Sequence, residues 1–458
     1  MHRALPPSAH GLLVHSYFWL ENLRQGSLKK KFMARPGPLQ AFRAILPTHE
    51  FKGGPIVLVN SGLAPGGVER QIVNTLLSLD QRPDCKLGLL CLRLGQGPEL
   101  EFFKPLLAQF SGFVRNAMDF AEARRLLGTL LPSSAAQRIK DQIAWMPWDT
   151  KEEVVRLAAE FARLKPAVVH GWQDGSGIPA AYAARLIGVP RTLISTRNVR
   201  PTNFIWYRPH IFYSYREIVE CPEIVMVNNS EAGAIDYVRW LGLPDHRFVV
   251  KRNGFDARTL RRPDPQTTLD LRDQLGIPPN APVIGSIYRF SEEKRPLLWI
   301  ETAIAVAKGR PDCHFVIFGS GPMHNHVEIV GRRSGLGKKL HLPGTISDTA
   351  LGLSLFDVLL LTSRAEGTPN VILEASALGV PVVATEAGGM RETIEEGITG
   401  YLIEQAQPSV IANRLLQVLR ATDWCAGVRV AGPDFIERRF GLNRMITETL
   451  ALYGVPRG

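Results

Sequence analysis

Short runs of aliphatic and β-branched residues alternate along this chain with stretches whose apolar positions recur at helical spacing. PIVLVN (55–60), KLGLLCLRL (86–94), AVVHGW (167–172), TLISTRN (192–198) and EIVMVNN (223–229) are nearly continuous apolar runs, as strands buried on both faces of a parallel sheet must be. Between them lie segments such as EEVVRLAAEFARL (152–164), with the period of a helix that covers a sheet. The turn-rich stretch KRNGFDARTLRRPDPQTT (251–268) interrupts the series. A second series follows: PVIGSIYRF (282–290), HFVIFGSG (314–321), KLHLPGT (339–345), FDVLLLTS (356–363), VPVVATEAGG (380–389) and ITGYLIE (398–404). The pattern predicts an α/β protein of two doubly wound, Rossmann-like domains.

Composition narrows the functional classes. With 458 residues, 45% apolar and 21% charged, the chain is long enough for two domains with cores of their own and is not that of an unfolded protein. Lys and Arg outnumber Asp and Glu by 11, which favours anionic partners: phosphorylated ligands, nucleic acid or an acidic membrane face. Five scattered cysteines, at 85, 91, 221, 313 and 425, show neither metal-ligand spacing nor a disulfide framework, and suit small buried positions in a reducing compartment. No apolar run approaches the ~18 residues of a membrane span. GLLVHSYFWLENL (11–23) is short and polar-broken for a signal-peptide core, and the basic RQGSLKKKFMAR (24–35) after it suits a solvated extension or a segment lying on a surface.

In doubly wound sheets ligands bind beyond the carboxyl ends of the strands, so the loops there hold the candidate chemistry. In NSGLAPGGVERQIVNTLL, Gly66 and Gly67 stand between a strand and a helix starting near Val68. That is either a tight turn or a backbone cradle for a phosphate at a helix N-terminus. The second series opens alike. Arg289 and Lys294 flank the loop before a helix that begins at Pro296, and they either converge on an anion or are neutralised by Glu292 and Glu293. EGTPNVILEASALGVPVVATEAGG (366–389) places Glu366 in a loop and Glu374 inside an apolar helix, with Thr368 predicted as N-cap and Pro369 as its first residue. Glu374 is not the capping-box acid, because the position three after Thr368 is Val371. A buried carboxylate needs a partner, and two acids spaced along one helix start match the hydroxyl-bearing ends of an extended ligand with phosphates between. A nucleotide sugar has that layout.

The stretch EGTPNVILEASALGVPVVATEAGGMRETIEEGITGYLIE (366–404) resembles the signature of the family 4 glycosyltransferases of GT-B fold, with one Glu, seven residues and a second Glu. GGVER (66–70), NGFD (253–256), Arg289 with Lys294, and FGSGP (318–322) extend the likeness, which covers about residues 55–455. The resemblance implies two domains facing across a cleft and roles residue by residue. Glu374 would bind ribose hydroxyls, and Arg289 and Lys294 the diphosphate. The amides around Gly66 and Gly67 would meet a phosphate. Glu366, with the backbone of Gly367, Thr368, Pro369 and Asn370, would hold the donor sugar. It implies no metal and no cofactor, and retention of anomeric configuration. Where many family members have a histidine after the strand that here reads TLISTRN, this chain has Arg197, which holds oxygens but does not act as a base. His170, ending AVVH, is a second candidate on the acceptor side, and Asp174 reads as a turn acid.

The expected organisation is an N-terminal extension (1–50), an acceptor-side domain (51–255), a nucleotide-sugar-binding domain (256–430) and a C-terminal helix (431–458) packing back toward the N-terminal domain. The expected function is a retaining glycosyltransferase of polysaccharide or glycoconjugate biosynthesis. It would take a UDP- or GDP-sugar and a glycan, lipid-linked or small-molecule acceptor, and bind no nucleic acid. Its place would be the cytoplasm, with peripheral contact to an anionic membrane. The alternatives are a GT-B phosphorylase or epimerase, and a non-catalytic scaffold that binds a nucleotide sugar.

Overall fold

A computed structural model describes residues 26–257 and 260–455. The 11–23 segment lies outside the described residues. By contacts the chain forms two compact units. Of the described residues, one comprises those up to Pro65, Leu79–Ser195 and Trp206–Met226; the other comprises Gly66–Ser78, Thr196–Ile205 and those from Val227 onward.

Both sheets are built largely from the predicted runs. The first contains β1 (Ile56–Asn60), β2 (Leu87–Cys91), β3 (Phe113–Asn116), β4 (Val168–Trp172), β5 (Arg191–Thr196), β6 (Ile224–Asn228) and β7 (Phe248–Val250), in the order β3-β2-β1-β4-β5-β6-β7. The second contains β8 (Val283–Ile287), β9 (His314–Phe318), β10 (Leu340–Gly344), β11 (Val358–Leu361), β12 (Val382–Thr385) and β13 (Gly400–Ile403), in the order β10-β9-β8-β11-β12-β13. Strand β1 runs parallel to β2 and β4, and β8 parallel to β9 and β11. The order therefore reverses beside β1 and β8, and a doubly wound sheet opens a crevice at such a point. Every residue of β1, β2, β4, β9, β11 and β12 is buried, which accounts for their unbroken apolar runs. The edge strands β3 and β7, only partly buried, have no such run and escape the sequence pattern.

Three local expectations change. The segment before β1 is no solvated extension along its whole length: Leu39 and Phe51 are fully buried. Its backbone joins the first unit through Ile45 and Leu46 N–H groups, which donate to the carbonyls of Leu186 and Ile187. Glu217 fastens it further, accepting from Arg35 Nε at 2.6 Å, Leu39 N at 3.1 Å and Tyr182 Oη at 2.6 Å. Asp174 lies not in a turn but in the helix Gln173–Ile187, where it is buried and accepts from Tyr215 Oη at 2.6 Å. The chain's end forms two helices, Thr422–Phe440 and Leu442–Tyr453, which meet at Gly441. There Phe255 N donates to Phe440 O at 2.7 Å, and Phe255 packs with Leu373, Phe435, Ile436 and Phe440.

Of the cysteines, Cys91, Cys221 and Cys313 are buried and Cys85 and Cys425 half-buried, all as free thiols. Burial pushes the thiols of Cys221 and Cys313 up to about 12, so they are inert at neutral pH. Among the described residues no helix is long and apolar enough to cross a membrane.

Candidate functional site

The loops at the carboxyl ends of β8 and β11 are stitched together by one arginine. Arg295, in the left-handed region at φ 50°, precedes the helix Pro296–Gly309. Its Nε donates to Thr362 O at 2.5 Å, and its Nη2 to Ser363 O at 3.0 Å and Thr385 Oγ1 at 3.1 Å, which satisfies the strand ends. Arg364 N adds a bond to Glu293 O at 2.8 Å. This brings the two loops together so that Lys294 Nζ donates to Glu366 Oε1.

Lys294 is not neutralised by its sequence neighbours. Glu292 faces Arg364 at 3.5 Å and Glu293 accepts from Ser291 Oγ at 2.6 Å. Lys294 is instead the cation that makes burial of Glu366 tolerable. Arg289 is exposed and makes no ion pair among the described residues, so its charge faces solvent.

Backbone packing holds Glu366 in place. Gly389 N donates to Glu366 O at 3.0 Å, and Gly388 turns the chain there at φ 54°, where a Cβ would stand 2.1 Å from Glu366 O. On the other side a Cβ on Gly367 would stand 2.5 Å from Arg197 O and from Asn229 Oδ1. Thr368 donates its hydroxyl to Asn229 O at 2.9 Å and caps no helix. The helix therefore begins at Asn370, with Pro369 extended before it, and Glu374 is one position nearer its start than the sequence predicted.

Glu374 is buried and meets Arg70, whose Nη1 lies 2.5 Å from Oε1. Burial raises the pKa of Glu374 and Arg70 opposes the shift. Arg70 stands on the helix Gly67–Asp80, whose first turn is tied into the same cluster. Asn370 Nδ2 donates to Gly67 O at 3.1 Å, and Asn370 Oδ1 accepts from Asn253 Nδ2 at 2.7 Å. Asn253 also accepts from Arg197 Nη2. Gln71 and Gly254 exchange a pair of bonds, of 2.9 and 2.8 Å. Burial lowers the pKa of Arg197 to about 9 against the opposing charge of Glu69, so it remains a cation at neutral pH.

The structure thus joins Lys294 to Glu366, and Gly67, Asn370 and Arg197 through Asn253. His170 belongs to the first unit. It lies in the middle of β4 rather than at its end, fully buried, with Nε2 2.7 Å from Ser195 Oγ and its ring against Trp172. Sequence reasoning missed Arg70, Asn253 and Asn229. The first two lie within GGVER and NGFD, motifs it had quoted, and Asn229 closes the run EIVMVNN. Among the described residues no group of three or more His, Cys, Asp or Glu side chains is placed to hold a metal ion.

Residues 281–421 match the family model described as glycosyl transferases group 1. A Salmonella typhi protein, Vi polysaccharide biosynthesis protein VipC/TviE, is 25% identical over 431 residues, 88% of this chain and 71% of its own. An Escherichia coli UDP-Gal:alpha-D-GlcNAc-diphosphoundecaprenol alpha-1,3-galactosyltransferase is 28% identical over 274 residues, 58% of this chain and 70% of its own. The crystal structure of Anabaena Alr3699/HepE in complex with UDP and glucose superposes with a TM-score of 0.68 at 20% identity, over 88% of this chain and 99% of that one. Sucrose-phosphate synthase from Thermosynechococcus elongatus gives 0.68 at 18% identity, over 88% and 98%.

Proposed function

This chain is a glycosyltransferase of GT-B fold with a group 1 domain over residues 281–421, and from that premise we propose that it moves a sugar from a UDP- or GDP-sugar to a glycan or lipid-linked acceptor with retention of anomeric configuration, in polysaccharide or glycoconjugate biosynthesis. The observation that carries the reading is the arrangement of two buried carboxylates, each held by a cation from a different element: Glu366 by Lys294 in the loop after β8 and Glu374 by Arg70 on the Gly67–Asp80 helix. A protein that only scaffolds has no need of paired acids beside the switch point of its sheet.

In this reading Glu374 accepts the ribose hydroxyls and Glu366 takes the donor sugar with the backbone from Gly367 to Asn370. Gly66 and Gly67 open the helix whose N-terminus meets a phosphate. Arg289, whose charge faces solvent, and Lys294 receive the diphosphate. As the bond from C1 to the diphosphate oxygen breaks, negative charge builds on that oxygen, and fixed cations stabilise it. The acceptor oxygen joins C1 on the same face, and its proton passes to the departing phosphate. Arg197 holds an oxygen on the acceptor side and takes no proton. The relatives named for polysaccharide biosynthesis and for a diphosphoundecaprenol-linked sugar, with the UDP-bound structural neighbour, support the donor and acceptor classes. The exposed Lys29, Lys30 and Lys31 suit contact with the anionic inner face of a membrane, with the protein in the cytoplasm.

The test is a screen of mass-tagged UDP- and GDP-sugars with and without lipid extracts, followed by proton NMR of the product's anomeric centre. Retention is expected. An inverted product, or turnover of the donor by phosphate alone, overturns the proposal.

A further inference from the structure

The Gly67–Asp80 helix is placed by the same contacts that place the donor loop. Its first residue receives Asn370, four positions before Glu374, and Gln71 locks it to Gly254. Arg70 lies between these two anchors, with its own N–H bonded to Gly66 O at 3.1 Å. Its contact with Glu374 uses one nitrogen and one oxygen: Nη1 lies on Oε1, and Oε2 takes no part in it. The Glu374 side chain is 5% exposed against 35% for the arginine's, so the arginine reaches in from a wetter place to a group whose pKa burial raises.

We propose that Arg70 is the positioning residue for Glu374. It pins Oε1 and leaves Oε2 for the ribose hydroxyls, so that nucleotide affinity depends on a side chain outside the second sheet and its loops. The inference rests on the assignment of Glu374 to the ribose. Arg70 itself need not touch the nucleotide. Its substitution should weaken only the part of binding that passes through the ribose hydroxyls, whereas a phosphate-binding or merely structural arginine would weaken every nucleotide alike.

The experiment titrates UDP and GDP, and their 2′,3′-dideoxy counterparts, calorimetrically into the full chain and into Arg70→Ala, Arg70→Lys and Glu374→Gln, with thermal melts alongside. For whichever ribonucleotide the parent binds, Arg70→Ala should lose about ten- to thirtyfold in affinity. The dideoxy counterpart should bind parent and Arg70→Ala alike, and Arg70→Lys should recover most of the loss. If Arg70→Ala does not fold, Arg70→Gln keeps length without charge and is measured in its place, with the same loss expected. Equal weakening of both nucleotides, or no weakening at all, overturns the role given to Arg70. Failure of the underlying assignment looks different: the parent itself would bind the dideoxy nucleotide as tightly as the ribonucleotide, and Glu374→Gln would change neither.

Discussion

Lys294 is expected to serve the fold as well as the chemistry, and the two roles separate in a double-mutant cycle. In Lys294→Met the buried Glu366 carboxylate loses its counter-ion. Removing one partner of a fully buried pair costs ~3–5 kcal/mol, and an exposed pair is worth at most about 1. Glu366 is 6% exposed and Lys294 22%, so the cost is discounted for the solvent around the ammonium to about 2–3 kcal/mol. For a domain of this size that is a fall in melting temperature of roughly 4–12 °C. Glu366→Gln should cost about 1 kcal/mol, because the freed ammonium swings its head to water on a flexible stem. Lys294→Met/Glu366→Gln should then melt close to the Glu366→Gln protein, since no charge is left stranded. Turnover should be low in all three, because the double variant restores packing but neither the cation nor the carboxylate. Calorimetric melts and donor-turnover assays on the four proteins make the comparison. If the two stability losses simply add, the ion pair does not hold Glu366 and the account of its burial is wrong. If the double variant regains turnover along with stability, Lys294 acts only through the fold.

Three further outcomes are expected. Side-chain cations receive the diphosphate in the proposed mechanism, so turnover should survive excess EDTA; loss restored by Mn²⁺ or Mg²⁺ would refute that assignment. The chain should sediment with anionic liposomes at low salt and come off as salt rises, with Lys29, Lys30 and Lys31 replaced by Ser weakening the association; no binding at any salt would point to a soluble acceptor. Burial, against the pull of Arg93 and with a push from Asp149, raises the pKa of Glu153 from the usual 4.5 to about 7. The unfolded chain therefore gives up this proton first, and stability is lost as pH rises from about 4.5 to about 7. Glu153→Gln should match the parent in melts at pH 4 and exceed it at pH 8, and a difference constant across that range would contradict the shift.

The sequence carried the architecture because period and burial are local properties. A strand flanked by others on both sides and helices on both faces must be apolar throughout, so β1, β2, β4 to β6, β8, β9, β11 and β12 could be placed from composition within a few residues; of the edge strands, β10 and β13 carried short apolar runs of their own, while β3 and β7 left no such trace. The suspicion that Glu374 needs a partner was also legible, because no capping role explained an acid in that apolar helix. Which partner it has was not. Arg70 lies 304 positions away, and only the placement of the Gly67–Asp80 helix beside the Asn370–Ala377 helix brings it near. Lys294 had two acids beside it in sequence, yet it reaches Glu366, 72 positions on, because Arg295 fastens its loop to the ends of β11 and β12 and turns the neighbouring acids elsewhere. Thr368 had every local mark of a helix cap, but Asn229 offered its hydroxyl a carbonyl and the helix started later. Propensity and pattern act over a few residues and can be read along the chain, whereas the pairing of charges is settled by which strand ends the topology sets side by side.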